Sequence, residues 1–239
     1  MATSILSLVT SAARRTSLPV PTTLVTTPKE FEKQYLEVFY ETGEDLRNRG
    51  SWPELKRTYT FTTTSATEYA LPSDFRTFAV DTAWDQTNRW PLKGPLSDSQ
   101  FSSDKIWYAS ITSGTSYRIF GSPIVGDKKP FQMWPAATGL DFSYDYISNS
   151  FIYDTTGATA KSTMTVDTDI CVFPDELIKL GWRYHWLKNK GQDFAQLEYE
   201  YERSISALFG KLVGPVVSYR NGAPLLAPWP NTAEGGWNV

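Results

Sequence analysis

His185 is the sole histidine of this 239-residue chain, and Cys171 is its sole cysteine. A lone imidazole rules out a histidine-based metal cluster within one chain, and the adjacent Trp182 and Trp186 favour a packed or interfacial ring. One thiol cannot build an intramolecular disulfide framework, which fits a reducing compartment or assembly inside a cell. Free cysteines are among the most buried residues, so Cys171 reads as a small core group and not as a nucleophile. Two acidic pairs remain: Asp141 with Asp145 near an expected strand, and Asp167 with Asp169 ahead of an expected helix. Neither is followed by the glycine and glutamate of a calcium loop, so turns and caps account for them. The sequence has no phosphate-binding loop, nucleophile elbow or zinc spacing. Carboxylate pairs can still assemble across a fold, which keeps a hydrolase acting on a cell-wall polymer as the third-ranked reading. The expectation is a non-enzyme with no catalytic, cofactor-binding or metal residues and no cofactor.

The most heavily determined stretch is Phe173 to Phe209, read as two helices broken at Gly191. Pro174 suits a first helical position, and Asp175 and Glu176 place negative charge at the positive end of the helix dipole. Lys188, Asn189, Lys190 and Gly191 supply the stop. In the following helix Phe194, Leu197, Tyr201, Ile205 and Leu208 recur at helical spacing, leaving Glu198, Glu200, Glu202 and Arg203 largely elsewhere. The first of the two carries Leu177, Ile178, Gly181, Trp182, Tyr184, Trp186 and Leu187, more apolar surface than one stripe can hold. Contacts on two sides are expected, including another copy, with Trp182, Tyr184, Trp186 and Tyr199 as inter-subunit residues.

Near the start, Ile5, Leu8, Val9 and Ala12 form a helical stripe behind Thr3 and Ser4 as candidate caps. Arg14 and Arg15 follow that apolar run, whereas a secretory signal places its basic residues first, so the segment is taken as a structural helix. Leu18 to Val25, with Pro19 and Pro21, is an extended connector. Thr27, Pro28, Lys29 and Glu30 read as a capping box opening a helix that buries Phe31, Tyr35, Val38, Phe39, Thr42 and Leu46 and ends at Gly50. Two helices near the start and two near the end bury their stripes most simply against one another.

Between them the periodicity becomes alternating. Strands are expected at Thr58 to Thr63, at Phe78 to Trp84 after the turn Leu71 to Asp74, at Tyr117 and Ile119, at Phe131 and Met133, and at Phe142 to Tyr146. Ser97 to Trp107 adds a short helix. The fold class is therefore α+β: an antiparallel helical bundle from residues 1–56 and 171–213, and an inserted antiparallel β-sandwich or barrel-like domain at 57–170. An extended C-terminal arm follows at 214–239. That arm is rich in Pro and Gly yet carries Val216, Val217, Tyr219, Leu225, Leu226, Trp229 and Trp237, apolar groups that gain free energy only by finding a groove.

The whole-chain numbers narrow the function classes. A net charge of −3 gives no sign of a general nucleic-acid binder. Arg14, Arg15, Arg47, Arg49, Lys56 and Arg57 make basic spots best read as solvated or ion-paired. No apolar run approaches the roughly 20 residues that a membrane helix needs, so no bilayer span is expected. Aromatic residues make up 15% of the chain, including nine tryptophans, which suits large interfaces or a β-rich core.

Several segments together resemble the head-to-tail adaptor (head completion, connector) proteins of short-tailed bacteriophages. They are SILSLVTSAARRTSLPVP, then Gly50, Trp52, Leu55 and Arg57 running into YTFTTTSATEYALPSDF, then DTAWDQTNRWPLKGPLS, and DTDICVFPDELIKLGWRYHWLKNKGQDFAQLEYEYER. The segment from about Ser110 to Lys161 and the final arm match less well. The resemblance implies a structural virion protein at the head-tail junction, assembled in the host cytoplasm. It would form a homo-oligomeric ring, commonly of about twelve copies, beneath the portal protein. That ring would extend the DNA channel, let DNA pass without specific binding, and seat the tail nozzle or hub and tail fibres. In this picture the arm's apolar residues contact the portal. The competing class is a binding module whose β-rich insertion recognises carbohydrate through Trp84, Trp90 and Trp134.

Overall fold

The structure, a computed structural model, describes residues 3–50, 52–79, 81–107, 114–120 and 131–212. Expectations for the segment 214–239 fall outside the described residues.

Helix α1 (Ile5–Arg15) starts at Ser4, whose hydroxyl accepts from the Ser7 amide, and buries Ile5, Leu8, Val9, Ala12 and Ala13. Helix α2 (Glu30–Arg49) starts two residues later than its expected cap: Lys29 is the N-cap and Thr27 takes a positive φ of 50°. The reason lies in Glu32. Its carboxylate accepts the Lys29 amide at 2.7 Å and reaches across the connector to the Thr22 amide at 2.9 Å, at only 1% exposure. The capping box is therefore Lys29 with Glu32, and the same carboxylate pins the Pro-rich connector onto the helix start.

Helix α4 (Asp175–Asn189) follows α3 (Asp98–Trp107) and precedes α5 (Ala195–Leu212). Gly191, with φ 66°, closes α4: its amide donates to Lys188, and the Gln192 amide donates to Leu187, the paired bonds of a glycine-terminated helix. Helix α4 packs against α1, α2 and α5 at once. The apolar surplus that pointed to a second copy is thus taken up by three helices of the same chain. Close approach explains two small residues, Gly181 of α4 and Gly43 of α2. A Cβ on Gly181 would lie 2.7 Å from Thr42 and Tyr201, and one on Gly43 would lie 2.2 Å from the Phe151 ring.

The central strand of the β region is β8 (Asp141–Ser148), buried along most of its length on both faces. It pairs antiparallel with β1 (Lys56–Thr62) along one edge, and with β4 (Trp84–Asp85) and β3 (Phe75–Phe78) along the other; β5 (Trp90–Pro91) pairs with β4. The single strand expected over Phe78 to Trp84 is thus two short pieces, separated where Asp81 takes a φ of 60°. A second sheet joins β2 (Glu68–Tyr69), β7 (Phe131–Trp134) and β6 (Ser116–Ile119). A third joins β10 (Ala160–Lys161), β9 (Ile152–Tyr153) and β11 (Ile170–Cys171). The chain is mixed α and β with antiparallel sheets, and among the described residues the strands do not close into a barrel.

Aromatic rings link the first two sheets. Phe131 of β7 lies 5.6 Å from Tyr144 and 5.7 Å from Phe61, and Tyr117 of β6 lies 6.0 Å from Phe78. A separate cluster surrounds the helices and takes in Ile147, Phe151, Ile152 and Met164 from the segment 57–170. Trp52 belongs to this cluster at 1% exposure, donating from Nε1 to the Leu46 carbonyl at 2.7 Å and touching Phe173 and Phe209.

Candidate functional site

A polar cluster lies where α2, α4 and α5 meet. His185, on the buried face of α4, places Nδ1 3.3 Å from Glu41 Oε1 and Nε2 3.6 Å from Asp45 Oδ2, both carboxylates on α2. Asp45 also accepts the Tyr201 hydroxyl at 3.0 Å and the Arg49 Nε at 3.0 Å, and Arg49 reaches Glu202 on α5. Burial alone would raise the Asp45 pKa, but the His185 ring, the Arg49 guanidinium and the Tyr201 hydroxyl outweigh it and hold the carboxyl at about 2. The Tyr201 hydroxyl is already spent on Asp45, and burial pushes its pKa far up. The cluster offers no activated nucleophile. It cross-braces three helices.

The acidic pairs have comparable duties. Asp141 and Asp145 face β1, accepting Thr62 at 2.7 Å and Thr58 at 2.6 Å, and Asp145 pairs with Lys56 at 2.8 Å. Asp167 accepts the Leu24 amide at 2.7 Å and the Val25 amide at 3.1 Å, fastening the connector after α1. Asp169, fully buried, accepts Lys161 at 2.5 Å and the amides of Thr165 and Val166. Its carbonyl takes the first amide of α1 from Ile5 at 2.8 Å. Burial pushes the Cys171 thiol up to about 12, far from a reactive thiolate. Among the described residues, no group of three or more His, Cys, Asp or Glu is arranged to hold a metal ion, and no helix is long and apolar enough to cross a membrane.

Sequence reasoning missed other structural acids: Glu32 and Asp104, both buried, and the half-buried Asp74. Asp104 receives Lys93 at 2.9 Å and Ser116 at 2.7 Å, tying α3 to β6. Asp74, in the ALPSDF turn, receives Tyr146 at 2.9 Å and Ser148 at 2.7 Å from β8. Only Glu32 carried a readable signal, its place three residues after Lys29. The others act across long sequence separations.

Of the four residues expected between subunits, Trp182, Tyr184 and Trp186 are buried in one copy, at 0%, 5% and 8% exposure. Trp182 donates from Nε1 to the Tyr35 carbonyl at 3.0 Å and stacks on Trp186 at 5.5 Å. Its ring is fully covered by its own copy. Tyr199 differs: it stands on α5 at 66% exposure. Val216, Val217, Tyr219, Leu225, Leu226, Trp229 and Trp237 fall outside the described residues. Trp90, 52% exposed, lines a cleft of about 380 Å³ with Asp85, Asn88 and Thr115, whereas Trp84 and Trp134 are not among its walls. Asp85 is already engaged there by the amides of Thr87 and Asn88.

Both acidic pairs singled out in the sequence thus serve the scaffold. A family model described as SU10 adaptor protein matches residues 3–229. No curated protein matches the sequence.

Proposed function

The chain belongs to the SU10 adaptor protein family, and from that premise we propose that it is a structural virion protein joining head to tail in a bacteriophage. Copies assemble as a ring, about twelve by the resemblance of its sequence, beneath the portal. The ring extends the DNA channel and offers the attachment site for tail components. The observation that carries this reading is the extent of the family match, which takes in almost the whole chain. The internal use of every acidic pair supports it, because a connector needs rigid elements more than reactive ones. A mildly acidic chain, net charge −3, suits a channel wall that does not grip passing DNA, since tight phosphate contacts would oppose ejection.

In this reading the segment 214–239, with Val216, Val217, Tyr219, Leu225, Leu226, Trp229 and Trp237, binds between portal subunits. Electron microscopy of the purified protein, alone and mixed with portal, tests the ring: closed rings are expected, and a monomer that ignores the portal would overturn it. Truncation after residue 213 is expected to abolish attachment to packaged heads, and normal attachment would remove the arm from the mechanism.

A further inference from the structure

Tyr199 and Tyr201 stand two residues apart on α5, hence about 200° apart around the helix. Tyr201 is fully buried and turned to Asp45 of α2, so Tyr199, at 66% exposure, faces away from α2 and α4 of its own copy. One turn on, Arg203 shares that outward face, is exposed, and enters no ion pair among the described residues.

Elsewhere, α2 and α4 border a groove of about 290 Å³, with no residue of α5 in its lining, whose exposed surface is mostly carbon. That is at the bottom of the roughly 300–1,000 Å³ range of small-molecule sites and suits a single aromatic side chain. Val38 and Trp186 line it, and Lys190, also in its wall, holds its ammonium 4.7 Å from the Trp186 centroid while bonding Gln34 at 3.0 Å. Of the two groove carboxylates, Glu30 pairs with Lys33, whereas Glu37 enters no ion pair among the described residues.

We propose that the groove between α2 and α4 receives Tyr199 from a second copy of this chain, with Arg203 of that copy meeting Glu37. The proposal rests on the ring reading above and names its contact. Complementary charge argues for this occupant: among the described residues the groove has a carboxylate without a partner cation, and the α5 face has a guanidinium without a partner anion. Topology argues for it too. Knob and groove are different patches on one copy, so each copy can give one and take the other, which is the head-to-tail contact that a closed ring requires and a two-fold dimer does not. The phenol ring would cover the remaining edge of Trp186 and lie beside the Lys190 ammonium, gaining both apolar burial and a cation over an aromatic face.

The full-length chain, alone and with portal protein, is brought to the concentration at which it assembles, and assembly is followed by mass photometry. Arg203→Glu and Glu37→Arg each reverse one exposed charge and should raise the half-assembly concentration by about tenfold or more, with the double reversal restoring it. Tyr199→Ala should weaken assembly similarly while leaving the melting temperature of the monomer unchanged. A photoreactive phenyl ketone side chain at position 199 should link to peptides holding Val38 or Trp186, and mixed isotope labelling should show the link to be between copies. Rings that form normally with all three variants, or cross-links that fall elsewhere, would overturn the groove assignment and leave the ring standing. Failure of the unaltered chain to assemble in either setting would remove the ring and the groove together.

Discussion

Tyr144 and Tyr201 are both buried phenols, at 2% and 0% exposure, yet their hydroxyls have opposite circumstances. Tyr201 donates to the Asp45 carboxylate at 3.0 Å, while the Tyr144 hydroxyl is buried among rings with no hydrogen-bond partner among the described residues. A bond to a charged group contributes about 1.5–3 kcal/mol, whereas removing a buried orphan hydroxyl costs nothing and recovers its desolvation. Tyr201→Phe should therefore lower the unfolding free energy in urea by about 1.5–3 kcal/mol, and Tyr144→Phe should leave it equal or higher. Comparable losses in the two variants would mean that the Tyr144 hydroxyl has a partner. Trp182 belongs to the same scale: with its whole ring in the core of one copy, Trp182→Ala should cost about 3–5 kcal/mol of monomer stability. Assembly lost from a monomer of unaltered stability would return this residue to an interface.

Helix α4 depends on how closely its neighbours approach. A methyl group on Gly181 would lie 2.7 Å from Thr42 and Tyr201, whereas one on Gly210 of α5 would meet nothing within 4 Å. Alanine is the better helix former by about 1 kcal/mol, so intrinsic preference alone would favour both substitutions. Overpacking reverses the sign at the first position. Gly181→Ala should destabilise by about 1–3 kcal/mol and Gly210→Ala should stabilise by up to about 1 kcal/mol; thermal melts of the two variants read the contrast directly. The α2 start carries a similar lesson. Thr27 had every local credential for an N-cap, but the Glu32 carboxylate, drawn to the Thr22 amide of the connector, set the cap at Lys29.

Across the whole molecule, carboxylates on several elements act together. Burial alone would raise Glu32, Asp45, Asp104 and Asp169, but the hydrogen bonds and cations around each win, and all four are lowered. A carboxyl lowered by folding stabilises the fold above its unfolded pKa, and that contribution is lost as pH falls toward the folded value. Stability should thus be fully present above about pH 5 and decline between about pH 4 and pH 2. Asp45→Asn should flatten part of that decline in urea midpoints collected through the same range; an unchanged slope would show that the cluster around His185 contributes nothing to it. Helix stripes, the glycine stop at Gly191, and the strand alternation of Tyr59, Phe61, Phe142 and Tyr144 were all legible in the sequence, because each is written at short range in side-chain period or cap chemistry. The family resemblance was legible too, from segments spread along the chain in order. Only the tertiary structure decided that the surplus apolar face of α4 is covered by α1, α2 and α5 of one copy, leaving Tyr199 as the exposed aromatic of α5. It also decided that Phe78 to Trp84 breaks into two strands and that Phe151 and Met164 join the helical core. Periodicity states how much surface an element must bury, and only long-range packing states against what.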